Sequence, residues 1–162
     1  MIRRFPDAST PLPPAPLWRR LAAMIYDGLL VIALALVTTA IYLAVAGAIM
    51  GEEALKTHLD TGGMARDPFF KTILFLVIFF FFAYFWHRLG QTLGMQAWRI
   101  RVQNADGTSL AWTQCLLRFM IALVSGLCFG LGYLWMLWDK ERRTWHDRYS
   151  ESQVVQLPPR KK

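Results

Sequence analysis

The sequence has little cysteine and none of the short motifs that usually carry catalytic chemistry. Only Cys115 and Cys128 occur, and neither stands in the CxxC or Cys/His spacing of a metal site. We interpret both as small buried apolar residues. The patterns GxxxxGK[ST], GxGxxG, GxSxG and HExxH are absent as well. These absences argue against an enzyme, and we expect neither a cofactor nor a bound metal.

One short stretch, "TWHDRY", carries a His146-Asp147 pair of the kind that binds metal in some phosphohydrolases. Such sites need further histidine and aspartate ligands, and the only other histidines are His58 and His87. The sequence therefore favours a structural role for this pair. We expect Asp147 to accept hydrogen bonds from nearby arginines and so to fix the tail of the chain.

Charged side chains are missing from long parts of the chain, which is 55% hydrophobic. Residues 28–50 contain none, and a helix of about 20 apolar residues is enough to cross a bilayer core of about 30 Å. We predict membrane helices at about residues 20–48 and 69–88. A third apolar run covers residues 119–138, where Gly126, Gly130 and Gly132 interrupt its middle. The predicted fold class is an all-α membrane protein with three apolar helical runs.

The net charge is +7, and the basic residues flank the apolar runs. This placement fits a membrane and argues against nucleic acid as a partner. Four basic residues precede the first helix, which predicts a cytoplasmic N-terminus. They are Arg3, Arg4, Arg19 and Arg20. The tail after the third run is also basic, so three simple crossings would break the same rule. A third run that bends and returns as a re-entrant or split hairpin is favoured, and a straight span is the alternative.

Two further segments are predicted outside the membrane helices. Trp98, Ile100 and Val102 alternate with Arg99 and Arg101, which is typical of a strand. The "NADG" turn that follows predicts a small cytoplasmic β-hairpin, whose arginines would meet anionic lipid headgroups. "SQVVQL" in the tail is a candidate for one more strand. The domain plan is a disordered proline-rich arm (residues 1–16), a transmembrane domain (17–157) and a basic tail (158–162).

Asp27 lies in the first third of the first apolar run, where a charge costs several kcal/mol unless it is paired. Arg20 projects from the same helix face but is too distant for a direct ion pair. We expect Arg118, which precedes the third run, to pair with Asp27, with His87 and Arg88 as neighbours. Two roles stay open: a polar lock between helices, or a protonatable or cation-binding group on a transport path.

The motifs "RRLAAMIYD", "GQTLGMQAWRIRV", "DGTSL" with "LLR", and "RRTWHDRYSESQVV" occur in an order that resembles the RDD family of small bacterial and archaeal membrane proteins. The resemblance covers about residues 17–157. The family is named for one arginine and two aspartates, which match Arg20, Asp27 and Asp147 here. Met95 stands where the family often has a lysine.

The resemblance implies a multi-pass protein of the bacterial inner membrane with a transport-related role. Some members of the family look like exchangers of monovalent cations for protons. Three short helical segments cannot easily enclose a pathway, so a homo-oligomer is expected, with membrane lipids and a monovalent cation or proton as partners. The alternative is a non-transporting scaffold or accessory subunit that binds lipid or another protein.

Overall fold

The structure is a computed structural model, and it describes residues 2–7 and 11–159. The chain forms two units, one from Met1–Gly28 with Phe81–Lys162 and the other from Leu29–Phe80. We call them unit 1 and unit 2. The predicted basic tail at residues 158–162 lies largely outside the described residues, because Arg160, Lys161 and Lys162 are not among them.

Among the described residues, two helices are long and apolar enough to cross a membrane: α1 (Leu17–Met50) and α4 (Pro68–Arg88). Helix α1 has 34 residues, and its buried residues are Arg20, Ala23 and Asp27, all in its first third. Beyond them the helix presents exposed apolar side chains such as Leu29 and Leu36. Apolar surface of this extent is typical of a lipid-facing helix. The prediction of an all-α membrane protein is confirmed.

Unit 2 contains the polar segment between the two membrane helices. The sequence predicts a loop here, whereas the structure has two short helices, α2 (Glu52–Asp60) and α3 (Gly63–Arg66). Asp67 then begins α4, because its carboxylate accepts hydrogen bonds from the N–H groups of Phe69 and Phe70. The hydroxyl of Tyr42 on α1 donates to the same carboxylate.

Unit 1 continues after α4 with the short helix α5 (Leu93–Ala97) and the strand β1 (Ile100–Asn104). Thr92 caps α5, since its hydroxyl accepts a hydrogen bond from the N–H of Met95 at 3.2 Å. Strand β1 pairs in antiparallel register with β2 (Ser152–Gln156), so that Val102 faces Val154.

The small antiparallel sheet is therefore present, but its second strand is the tail segment rather than the residues after Gly107. "NADG" does form the expected turn, in which Gly107 has φ 77° and donates its N–H to Asn104. Thr108 then makes an isolated bridge with Arg4. The local hairpin is replaced because the N-terminal arm and the tail occupy the edges of β1 and of the turn.

The described part of the proline-rich arm is extended, but it is packed onto the sheet. Ala15 donates its N–H to the carbonyl of Val154 at 2.9 Å, and Gln156 donates to the carbonyl of Pro13 at 2.9 Å. The ring of Phe5 is buried. This packing differs from the disordered arm that the sequence predicts, because the backbone groups of extended prolines can complete the open edge of a strand.

The third apolar run is bent, as the glycines in its sequence predict. Helix α6 (Trp112–Leu127) is followed by α7 (Leu131–Leu134) and a 3₁₀ turn (Trp135–Leu137), and the helix direction bends by 109° between α6 and these later residues. Gly130 has φ 76°, a left-handed conformation that glycine adopts at little cost. The parts are unequal, since α6 begins before Phe119 and carries most of the length. Helix α8 (Trp145–Tyr149) follows and leads into β2.

Candidate functional site

The carboxylate of Asp147 lies at the centre of unit 1 and is fully buried. It sits in the first turn of α8, where Thr144 and Asp147 exchange side-chain to backbone hydrogen bonds as a capping box. This local bonding fixes the direction of the carboxylate. Arg20 of α1 donates to Oδ2 at 2.5 Å, and Arg118 of α6 donates to Oδ1 at 2.5 Å. One aspartate thus connects α1, α6 and α8.

Arg20 holds more than its ion pair. Its other donors reach three backbone carbonyls, those of Ala15 (3.1 Å), Arg142 (3.2 Å) and Val154 (3.3 Å). The planar guanidinium presents five donors in a fixed fork, so one side chain can serve several acceptors at once. Arg20 therefore fastens the arm, the segment before α8 and strand β2 to the start of α1.

Arg118 occupies the opposite side of the same carboxylate. Its Nη1 also donates to the hydroxyl of Ser152 at 2.9 Å, and its guanidinium carbon lies 5.3 Å from the ring centroid of Trp86. The aromatic face offers partial negative charge to a desolvated cation. Within the described part of the chain, its Nε is buried without a hydrogen-bond partner.

The cluster of Arg20, Arg118 and Asp147 holds two cations against one anion. Burial raises the pKa of Asp147, but the charges of Arg118 and Arg20 outweigh burial and hold that pKa well below its usual range. Burial, together with Arg118 and Arg20, lowers the pKa of His146 to about 3. The imidazole is therefore neutral near pH 7, and its 4.0 Å approach to Asp147 is not an ion pair. Carbonyl dipoles and the Trp86 ring offset the excess positive charge.

Asp27 does not belong to this cluster, and its predicted pairing with Arg118 is wrong. Its Oδ2 accepts from the hydroxyl of Thr92 at 2.5 Å, and its Oδ1 accepts from the N–H of Gly94 at 2.9 Å. Among residues 2–7 and 11–159, no basic nitrogen forms an ion pair with Asp27. The physical reason is competition, because both guanidinium groups are already taken by the better-placed carboxylate of Asp147.

The geometry around Asp27 is close enough to require glycine at position 94. A Cβ built on Gly94 would lie 2.3 Å from the carbonyl oxygen of Ala23 and 2.8 Å from Oδ1 of Asp27. Such distances are shorter than any normal contact, so a side chain here would force α5 away from α1. The start of α5 therefore rests directly against the Asp27 turn of α1.

The neighbours predicted from the ends of the membrane helices are placed elsewhere. His87 is buried, with Nδ1 2.7 Å from the carbonyl oxygen of Leu110 and its ring against Trp112. Arg88 is exposed. Neither side chain is among the hydrogen-bond or ion-pair partners given above for Asp27 and Asp147.

The prediction that Arg101 faces lipid headgroups is wrong. Its guanidinium is buried, pairs with Asp7 at 2.8 Å and lies 4.1 Å from the ring centroid of Phe5. The alternating pattern identified a strand correctly, but the N-terminal arm covers the arginine face. Arg99 is partly exposed and donates to the carbonyl of Pro158.

Sequence reasoning missed Thr92, Gly94 and Thr144. A signal for Thr144 was present, because "TWHD" has the [ST]-x-x-[DE] spacing of a capping box. Nothing local marks Thr92 and Gly94 as partners of Asp27, since the contact joins segments far apart in the chain. Within the residues that the structure describes, no group of three metal-ligating side chains converges.

These features define a small helical membrane protein in which a buried Arg–Asp–Arg cluster connects the start of the first membrane helix to helices α6 and α8. Residues 14–151 match the RDD family, and the chain belongs to it. Arg20, Asp27 and Asp147 all lie within the matched range. No protein of curated function and no solved structure matches the chain significantly.

Proposed function

We propose that this RDD-family protein is a multi-pass protein of the bacterial inner membrane, with a cytoplasmic N-terminus, that exchanges protons for monovalent cations as a homo-oligomer. The observation that carries the proposal is the environment of Asp27. Its carboxylate is buried near the start of a membrane helix, and its two described hydrogen-bond donors, Thr92 and Gly94, are neutral.

A buried carboxylate that has only neutral donors can gain a proton or a small cation without breaking an ion pair. Intramembrane carboxylates of this kind are expensive and commonly mark ion pathways. Thr92 and the nearby carbonyl of Ala23 add oxygen atoms of the type that hard cations prefer. Asp147 differs because both of its oxygens are held by arginines, which suits a permanent structural anion.

The proposed topology is supported by pairing across unit 1. Residues before α1 hydrogen-bond to β2 near the end of the chain, through Ala15 and Val154. Segments that pair in this way must lie on the same side of a membrane. If α1 and α4 each cross once, the bent run must then enter and leave from the cytoplasm. This topology also keeps the basic tail inside, in agreement with the positive-inside rule.

Flux measurements in proteoliposomes test the transport role. We expect an imposed pH gradient to drive Na⁺ or Li⁺ movement with the wild-type protein, and we expect Asp27→Asn to lower that flux at least tenfold. Asp106→Asn is the matched control, since Asp106 is an exposed turn residue that bonds Thr108. Equal flux in wild type and Asp27→Asn at equal folded protein would overturn the role of Asp27.

A scaffold or accessory subunit is the second candidate, and the cluster around Asp147 favours it. Most polar groups of Arg20 and Asp147 form hydrogen bonds within the chain. Such bonding suits a rigid structural unit better than a segment that moves during transport. In that case neither wild type nor variant would carry ions, a partner protein would co-purify, and Asp27→Asn would lower folded yield instead.

A further inference from the structure

A cavity of about 310 Å³ lies in unit 1 between the N-terminal arm, strand β2 and the turn before α8. This volume is at the lower end for small-molecule sites. Its lining is strongly basic: four cationic side chains line it against one acidic side chain. They are Arg20, Lys140, Arg142 and Arg143, with Glu141 as the acid.

The basic turn, residues 140–143, is held in a defined conformation. Arg142 donates its N–H to the carbonyl of Asp139 at 3.0 Å, and Arg143 donates its N–H to Oδ2 of Asp139 at 2.9 Å. The carbonyl of Arg142 accepts from Arg20, which lies at the buried side of the cavity. The cations are thus presented from a fixed backbone.

Most of the negative charge near the turn is already engaged. Asp139 pairs with Arg148, and Glu141 pairs with Arg143 at 3.1 Å. Lys140 and Arg142 are exposed, and neither makes an ion pair within the part of the chain that the structure describes. The cavity therefore has positive charge available for an anion.

The segment that leads into the basic turn is apolar and exposed. Leu137 and Trp138, immediately before Asp139 and the basic turn, are 61% and 75% exposed. Tryptophan is enriched where hydrocarbon meets headgroups, and basic pockets beside membrane helices bind anionic lipid headgroups. Exposed apolar residues that directly precede a basic turn fit a molecule with acyl chains attached to a phosphate better than they fit free phosphate.

We propose that this cavity binds the phosphate headgroup of an anionic phospholipid, with Lys140 and Arg142 as the main contacts and the acyl chains against Leu137 and Trp138. The site is separate from Asp27, so it does not depend on the transport proposal. The side chain of Arg20 lines this cavity and also pairs with Asp147.

The test is native mass spectrometry of the full chain in detergent, titrated with phosphatidylglycerol or phosphatidylcholine. We expect phosphatidylglycerol adducts on the wild type at concentrations where phosphatidylcholine gives few. In Lys140→Gln/Arg142→Gln the apparent affinity for phosphatidylglycerol should fall at least tenfold, since each basic residue near a lipid surface contributes appreciably. The charge-retaining pair Lys140→Arg/Arg142→Lys should keep most of the binding.

Lys56→Gln/Arg66→Gln is the matched control, because it removes two exposed cations from unit 2. An equal loss in this control, or no loss in the cavity variant, would overturn the site. Displacement of phosphatidylglycerol by millimolar inorganic phosphate would overturn the lipid as the ligand and favour free phosphate. If the double variant does not fold, Lys140→Gln alone replaces it, with an expected loss of at least threefold, and unchanged binding would again reject the site.

Discussion

The backbone N–H of Gly94 donates to the carboxylate of Asp27 at 2.9 Å, and this contact leaves no room for a side chain on Gly94. The carboxylate of Asp27, in a membrane helix, thus accepts hydrogen bonds from a backbone N–H and a hydroxyl group at the start of the short helix α5. The usual expectation is a basic partner. Here the basic partners serve Asp147 instead, and Asp27 stays free of ion pairs within the described residues.

Gly94→Ala should destabilise the protein by about 2–3 kcal/mol, because the new Cβ would overlap the carbonyl of Ala23 and push Asp27 off its donors. Thermal unfolding of purified protein in detergent, followed by tryptophan fluorescence, measures the effect. Gly28→Ala makes the same chemical change on α1, where nothing lies within 4 Å of the added Cβ. It should be neutral or slightly stabilising, and similar losses in both variants would contradict the close contact.

Asp147→Asn should be the most damaging single change at the cluster, with a loss of about 3–5 kcal/mol. The amide keeps the shape of the side chain but leaves Arg20 and Arg118 buried without a counter-charge. Folded yield by fluorescence-detected size exclusion and the unfolding midpoint are the measurements. Asp106→Asn, in an exposed turn, is the control. A midpoint for Asp147→Asn within a degree of wild type would show that the ion pairs contribute little.

Helices and strands with a clear pattern in their own sequence could be predicted. The uncharged run after Asp27 marked α1, and the glycines between Gly126 and Gly132 marked the bend of the third run. The alternation around Val102 marked β1, and "SQVVQL" marked the segment that became β2. Each of these signals lies within one continuous stretch of the chain, where composition and periodicity can be read directly.

The partners of these elements were harder to predict. Strand β1 pairs with β2, and Arg101 is buried against Asp7. Both contacts depend on which distant segment of the chain packs against β1. Competition between Asp27 and Asp147 for arginine is of the same kind. Charge and depth made Arg118 a reasonable partner for Asp27, but only the fold shows that Asp147 is nearer. Long-range pairing is decided by packing that a single sequence does not reveal.

Arg20→Lys should destabilise the protein by about 2 kcal/mol even though the charge is kept. A lysine ammonium can pair with Asp147 but cannot also reach the carbonyls of Ala15, Arg142 and Val154. The N-terminal arm should then loosen. Limited proteolysis near residues 11–16, compared with wild type, reports this directly, and Arg88→Lys at an exposed position is the control. Unchanged protection of the arm would show that its backbone bonds to β2 are sufficient alone.

His146 should make the protein less stable in mild acid. Its pKa is lowered to about 3 in the folded protein from an ordinary value of 6.5. Between these values the imidazole of the unfolded chain binds a proton and that of the folded chain does not. The contribution of neutral His146 to the free energy of unfolding is therefore fully present above about pH 6.5. It falls by up to about 1.4 kcal/mol per pH unit as the pH decreases toward 3. The groups that face the imidazole are Asp147, Arg118, Arg20 and the ring of Tyr133.

His146→Phe should flatten this dependence between pH 4.5 and 7. Nδ1 of His146 is buried without a partner among the described residues, and Nε2 lies 4.0 Å from Asp147, so phenylalanine removes no hydrogen bond. Asp147 also makes the protein less stable as pH falls. Because its pKa is lowered in the folded protein, its stabilising contribution is lost only below about pH 4. Above pH 4.5 the difference between wild type and His146→Phe therefore reports the imidazole rather than Asp147. Unfolding midpoints of wild type and variant should converge at pH 7 and separate at pH 5, with the variant higher. His58→Phe in unit 2 is the control for removing an imidazole, and parallel curves for wild type and His146→Phe would mean that His146 is not the acid-sensitive group.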